Sequence, residues 1–320
     1  MCNNRKIPVV AVVGPTASGK SALAVELAKY YDAEVLSFDS MQVYKGMDIA
    51  TAKPTAYEMC GVPHHMIGVI DNTESFSVAK YKDHAEKIID AIVSRGKRVI
   101  MVGGTGLYLD SVLQNIEFLP SEENREVRNQ LNQALAEKGP DALFEELEKI
   151  DPVTAGKIDK SNLKRVLRAL EVFYTTGHTM SYQVEQSKSV PSRYNPVYIG
   201  LNAKDREVLY GRINTRVDRM LEAGLVKEAE AFLKGDFGAT ARQAIGLKEL
   251  TPFVLGEKSL AECTENLKRE TRRYAKRQLT WFRRNENIHW LYIDEYPETE
   301  QQFGQAVRII DKSGIFTEEV

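Results

Sequence analysis

Cysteine is scarce. The chain of 320 residues has three, Cys2, Cys60 and Cys263, far apart and forming no C-x-x-C pair. Neither a zinc centre nor a disulfide framework is indicated, and a reducing cytosol fits. Long apolar runs are missing as well, so no segment approaches the length of a membrane span. The N-terminus lacks a signal-peptide pattern, because its one apolar stretch ends within a few residues in a glycine-bearing loop. No surplus of charge of one sign exists. Lys and Arg number 43 against 45 Asp and Glu, a net charge of −2. Global attraction to nucleic acid is thereby excluded, and a nucleic-acid partner would have to meet a local patch. Internal repeats and low-complexity linkers are absent. The remaining bulk, 43% hydrophobic and 28% charged residues, is ordinary for a globular protein, and the length suits a main domain plus an insertion.

Against that plain background one motif is complete. Gly14-Pro15-Thr16-Ala17-Ser18-Gly19-Lys20-Ser21 reads G-x-x-x-x-G-K-[ST]. In such a loop, successive backbone N–H groups wrap a chain of phosphates, the lysine adds a point charge, and the Ser21 hydroxyl is placed to ligate Mg²⁺. The apolar run Ile7 to Val13 before it reads as a buried strand. Ser21 to Tyr30 after it carries Leu23, Ala24, Leu27 and Ala28 at helical spacing. Strand, loop and helix in this order aim a helix N-terminus at an anion. The loop does not say what carries the phosphates.

Further strands are expected at Ala33–Phe38 and Arg98–Val102, with a helix over Val78–Ser94 between them. This alternation predicts an α/β fold, a P-loop NTPase-like parallel sheet flanked by helices. From about Ser121 to Gln186 no strand is evident. Helical patterns over Glu122–Glu137, Pro140–Lys149 and Asn162–Tyr174 follow one another, punctuated by Asp151-Pro152 and Gly177. The expected organisation is a core domain of residues 1–118 and 196–320 with an all-helical insertion over 119–195. Val197–Leu201 and His289–Asp294 read as later strands, and Asp205–Ala223 and Leu260–Arg284 as long helices.

Four stretches offer chemistry. Asp39 ends the second strand, at the sheet edge where parallel α/β folds bind ligands, as a metal carboxylate, a general base or a turn cap. Gly103-Gly104-Thr105-Gly106 ends the next strand with a hydroxyl and no carboxylate, which weighs against a nucleotide-hydrolysing motor. Arg212, Arg216 and Arg219 share one helix face. The segment Lys268–Arg284 holds eight cations and one acid, interleaved with Tyr274, Trp281 and Phe282, the footprint of a phosphodiester-binding helix.

Taken in order, these stretches resemble one family. The phosphate loop, Asp39-Ser40-Met41-Gln42-Val43-Tyr44 through Lys53-Pro54, Pro63-His64-His65, Gly103 to Tyr108, Arg242-Gln243-Ala244-Ile245-Gly246 and Lys276-Arg277-Gln278-Leu279-Thr280-Trp281-Phe282-Arg283 are similar to the motifs of tRNA dimethylallyltransferases of the bacterial type. The resemblance implies transfer of a dimethylallyl group from its diphosphate to the exocyclic amine of the adenosine 3′ of the anticodon, in tRNAs reading codons that begin with U. It implies Asp39 as general base and Thr105 as the group aiming the amine. It assigns Gly14, Thr16, Ala17, Ser18, Gly19, Lys20, Ser21 and Arg216 to the diphosphate, with Arg212 as the alternative to Arg216, and Mg²⁺ as cofactor at Ser21.

The tRNA contacts implied are Asp39, Ser40, Met41, Gln42 and Thr105 around a flipped base, and Lys164, Arg165 and Arg168 on the insertion. Arg242, Gln243, Ile245, Gly246, Lys276, Arg277, Gln278, Trp281 and Arg283 complete them. A cytoplasmic enzyme acting as a single chain, without membrane or obligate protein partner, is expected. The competing expectations are a small-molecule kinase using Mg-ATP, with Arg165 and Arg168 as lid arginines, and a non-catalytic RNA-binding module. The first gives no reason for the basic helix, and the second gives no role to Asp39 and Thr105.

Overall fold

The fold is described from a computed structural model, over residues 6–116, 118 and 125–317. Residues 119–124, where the insertion and its first helix are expected to begin, lie outside that range, as does Cys2. Two compact units divide the chain, Met1–Leu113 with Arg193–Val320, and Gln114–Ser192.

The first unit is built on six parallel strands, β1 (Ile7–Val13), β2 (Ala33–Ser37), β3 (His64–His65), β4 (Arg98–Val102), β5 (Tyr194–Asn202) and β6 (Ile288–Tyr292). Their spatial order is β3-β2-β4-β1-β5-β6. β1 lies in the interior, with Val10 opposite Ile100 on one side and Val197 on the other. Its near-continuous apolar sequence follows from that place, since both faces of a parallel sheet are covered. Val9, Ala11 and Val13 join Leu36, Val99 and Met101 in one core, while Val10 and Val12 join Val35, Ile100, Ile199 and Leu201 in the other. Full burial of each such valine stabilises the fold by about 1.5 kcal/mol or more. The α/β reading and its P-loop sheet are thus realised. The short edge strand β3 carries no hydrophobic alternation, and periodicity does not find it.

Helices of this unit are α1 (Lys20–Tyr30), α2 (Ala56–Met59), α3 (Val78–Ser94) and α4 (Gly106–Leu113). In the second unit α5 (Arg125–Ile150), α6 (Pro152–Ala155), α7 (Leu163–Thr176) and α8 (Met180–Ser189) follow. The chain then returns to the first unit with α9 (Arg206–Glu222), α10 (Leu225–Lys234), α11 (Leu247–Val254), α12 (Leu260–Phe282) and α13 (Thr299–Ser313). Gly139, at φ 79° and ψ 172°, precedes Pro140 and breaks α5 into two helical stretches. Gly139 supplies a left-handed backbone, and Pro140 cannot donate to the preceding turn. Leu143, Leu147, Val166 and Leu170 form the core of the second unit. Among its described residues no strand occurs.

Candidate active site

At the carboxyl edge of the sheet the first unit holds a cavity of about 360 Å³. That is ample for a small ligand, whose sites span about 300–1,000 Å³. Three strand ends meet there. β1 delivers Thr16, Lys20 and Ser21, β2 delivers Asp39, Ser40, Met41 and Gln42, and β4 delivers Val102, Gly103 and Gly104. α9 adds Arg216 together with Ile213, Val217 and Met220, and α12 adds Leu267, Thr271, Tyr274, Arg277 and Gln278.

The phosphate loop has the backbone such a loop requires. Gly14 takes φ 140° and Gly19 φ 96°, and Ala17 is left-handed at φ 64°. A side chain at Gly14 would put its Cβ 2.3 Å from the Leu201 carbonyl oxygen, so this glycine lets the loop cross β5. Gly14, Ala17, Ser18 and Gly19 shape the loop behind the lining residues. Ser18 is fully buried, and among the described residues its hydroxyl has no hydrogen-bond partner.

Among the described residues four cations line the cavity, Lys20, Arg216, Lys248 and Arg277, and burial shifts the pKa of the first two. Lys20 Nζ donates to the Pro15 carbonyl at 2.5 Å. Burial, and then the nearby Arg216 guanidinium, bring the Lys20 pKa down to about 7, against a smaller upward pull from Asp39. Burial likewise lowers the pKa of Arg216, and Asp39 opposes this. The Arg216 guanidinium thus disfavours the charged form of Lys20 until an anion arrives. Arg216 lines the cavity and Arg212 does not.

Asp39 is partly a turn cap. Its Oδ1 accepts the backbone N–H of Met41 at 2.9 Å and of Gln42 at 3.3 Å, which turns the strand end so that the carboxylate faces the cavity. Thr105 stands behind it, with Oγ1 accepting the Ser40 N–H at 3.1 Å and bonding the Ser40 hydroxyl at 3.3 Å. The Tyr274 hydroxyl lies close to Thr105 and Gln278. Gln42 Nε2 donates to the Thr51 and Ala52 carbonyls at 3.2 and 3.1 Å, folding the loop after Asp39 into the cavity wall.

The other expected RNA contacts fall in different places. Gln243, Ile245, Gly246, Arg277 and Gln278 line the cavity, and Arg242, Thr105, Lys276, Trp281 and Arg283 do not. Arg242 Nε donates to the Phe237 carbonyl at 2.7 Å. Lys276 and Arg283 are exposed. The Trp281 indole packs on Gly106 and donates to Asp110 Oδ2 at 2.8 Å, so it anchors α12 to α4. Lys164 and Arg165 are exposed on the first turn of α7 in the second unit, where Arg168 pairs with Glu171 at 3.1 Å.

Sequence reasoning missed the apolar wall of Ile213, Val217, Met220 and Leu267. The signal was present, because residues 213, 217 and 220 repeat at helical spacing beside Arg216. By composition Tyr274 is a stacking surface on a basic helix, whereas in the fold it faces the cavity.

Among the described residues no group of three or more His, Cys, Asp or Glu side chains is arranged to hold a metal. The Ser21 hydroxyl and the Asp39 carboxylate both reach the cavity and are hard oxygen donors. They fit Mg²⁺ where a diphosphate supplies further oxygens.

The family model described as IPP transferase matches residues 42–285. The tRNA dimethylallyltransferase of Acetivibrio thermocellus is 47% identical over 310 residues, covering 96% of this chain and 99% of that protein. The crystal structure of a tRNA isopentenylpyrophosphate transferase from Staphylococcus epidermidis is similar at 41% identity and a TM-score of 0.70, covering 96% of this chain and 100% of that one. A eukaryotic dimethylallyltransferase, captured in crystallographic snapshots acting on tRNA, is 28% identical with a TM-score of 0.80, over 98% of this chain and 81% of its own. With its phosphate loop, strand-end aspartate and basic helix assembled as above, this chain belongs to the tRNA dimethylallyltransferase family of prenyltransferases.

Proposed function

We propose that this chain transfers a dimethylallyl group from dimethylallyl diphosphate to the exocyclic amine of the adenosine immediately 3′ of the anticodon, in tRNAs reading codons that begin with U. The observation that carries this reading is the pair of desolvated cations, Lys20 and Arg216, facing a single carboxylate across a cavity with one apolar wall. That charge excess suits a diphosphate, and the wall of Ile213, Val217, Met220 and Leu267 suits a short hydrocarbon chain. The helical second unit, taken as the insertion of residues 119–195, would offer Lys164 and Arg165 to the RNA.

In the reaction the C1–O bond of the donor breaks as a bond forms between C1 and the adenine nitrogen. The electron pair leaves with the diphosphate, and the amine proton passes to the Asp39 carboxylate. Lys20, Arg216 and the loop N–H groups stabilise charge that grows on the leaving oxygens. The Ser21 hydroxyl would hold Mg²⁺ beside the diphosphate, and the ion when bound would supply further electrostatic stabilisation of the leaving group. The adenine lone pair is delocalised into its ring, so a base within hydrogen-bond reach of the amine matters. Thr105, held by Ser40, aims the amine. The base must leave its stack to enter the cavity, beside Ser40, Met41 and Gln42. On this proposal the enzyme acts as a single chain in the cytoplasm.

Incubation with dimethylallyl diphosphate and unmodified tRNA, followed by nucleoside mass analysis, tests the reading. Prenylated adenosine at the position 3′ of the anticodon supports it. ATP consumption with a small acceptor and no prenylation would replace it with the kinase.

The basic helix yields its own expectation. Arg273, Lys276 and Arg277 are exposed on α12. Replacing all three with alanine should weaken binding of good and poor tRNA substrates alike, because phosphate contacts carry no sequence information. The slope of log K against log salt should flatten by about 0.7–0.9 for each phosphate that is no longer neutralised. Titrations of the anticodon stem-loop at several salt concentrations measure this. An unchanged slope would move the RNA grip elsewhere.

A further inference from the structure

The inward face of α12 carries Tyr274, Gln278 and Trp281, at i, i+4 and i+7, and the last two bond to the segment after β4. Tyr274 reaches Thr105, Gln278 reaches Gly104, and Trp281 reaches Asp110. Gln278 also does something its neighbours do not. Its side chain is 5% exposed, its Nε2 donates to the Gly104 carbonyl at 3.0 Å, and its Oε1 accepts the Thr16 N–H of the phosphate loop at 2.8 Å. Both ends of the amide are therefore committed inside the protein. The fit is close, since a Cβ at Gly104 would lie 2.0 Å from Gln278 Nε2.

We infer that Gln278 is a positioning residue of the diphosphate site, not a contact to RNA. It ties the RNA-facing helix and the β4 turn to the phosphate loop, and it fixes the loop entrance by holding Thr16. A loop N–H that is already engaged cannot turn toward the ligand, so Gln278 decides which amides remain to wrap the phosphates. The inference rests on the prenyl-transfer reading for its substrate. The geometry concerns the phosphate loop itself, whatever group is transferred.

The test uses the full chain with inorganic diphosphate as the probe and the anticodon stem-loop as a second ligand. Gln278→Met keeps the volume and removes both hydrogen bonds. Its diphosphate Kd should rise about tenfold, the size expected when a buried hydrogen bond is removed. Its stem-loop Kd should stay within about twofold of the unaltered protein, as expected of a side chain that does not touch RNA. Gly104→Ala displaces the same amide from the opposite side, leaves the sequence of α12 unchanged, and should give the same pattern. A raised stem-loop Kd with unchanged diphosphate affinity would overturn the inference and make Gln278 an RNA contact. Equal losses in both affinities would overturn it in favour of a general loosening of the helix. Unaltered diphosphate binding in Gly104→Ala would overturn it too, even if Gln278→Met failed to fold. Prenyl transfer by the unaltered protein is assayed separately, so the parent reading and this one fail independently.

Discussion

Asp39→Asn is expected to bind tRNA as the unaltered protein does and to transfer the prenyl group about 10²–10⁴ times more slowly, the contribution of a positioned general base. The choice of asparagine follows from the geometry. Asp39 Oδ1 accepts from the Met41 and Gln42 N–H groups, and an amide oxygen can accept both. The turn that directs Ser40, Met41 and Gln42 into the cavity therefore survives, while the proton acceptor is removed. Asp39→Ala removes both, and should add a loss of tRNA affinity to the same loss of rate. A rate loss without a binding loss marks an interaction made in the transition state. Single-turnover rates at saturating substrates and stem-loop titrations separate the two. Near-normal turnover by Asp39→Asn, with Asp39→Ala inactive, would reduce Asp39 to a cap.

The site was legible in the sequence where chemistry imposes spacing. The phosphate loop needs glycine at Gly14 because a Cβ there would strike Leu201, and that need shows in the motif itself. Asp39 is located by topology, since the ends of parallel strands share one edge. Interior strands β1, β2 and β4 are found because two-sided burial writes long apolar runs. The edge strand β3, two residues long, has no such run, and α4 begins in a glycine turn without periodicity. Direction was the harder quantity. Gln278 and Trp281 sit among cations on α12, and the family resemblance implies both as RNA contacts. The helix turns both inward, to Gly104 with Thr16 and to Asp110. Which face of a long amphipathic helix meets the core at each turn depends on partners distant in sequence. Residues 174 positions away supply the Gln278 partner at Gly104, and no local pattern announces them.

Lys20→Met should lower the transfer rate by about 10²–10³, the scale of removing one preorganised group from a developing anion, and should weaken donor binding as well. In the proposed reaction Lys20 meets the diphosphate before and during bond breaking, so both steps suffer. The pKa of about 7 makes the prediction sharper. In the free protein part of the Lys20 population is neutral near pH 7, whereas a bound diphosphate favours the ammonium. Binding therefore takes up a proton, and diphosphate affinity should fall as pH rises above about 7, by at most about one decade per pH unit from this group. Calorimetry in buffers of different ionisation enthalpy counts the protons. The difference between the unaltered protein and Lys20→Met isolates the Lys20 share from the ligand's own titration. Stability should move the opposite way. Folding lowers this lysine from 10.5 to about 7 and so disfavours its charged form. The penalty is present in full below pH 7 and fades as pH rises toward 10.5, where the unfolded chain is also losing its proton. Without ligand, Lys20→Met should melt at a higher temperature than the unaltered protein at neutral pH, and the advantage should shrink in alkali. Added diphosphate should raise the melting temperature of the unaltered protein and barely that of Lys20→Met. Equal proton uptake in the two proteins, or full turnover by Lys20→Met at saturating donor, would remove Lys20 from the leaving-group site and leave Arg216 and the loop amides to carry it.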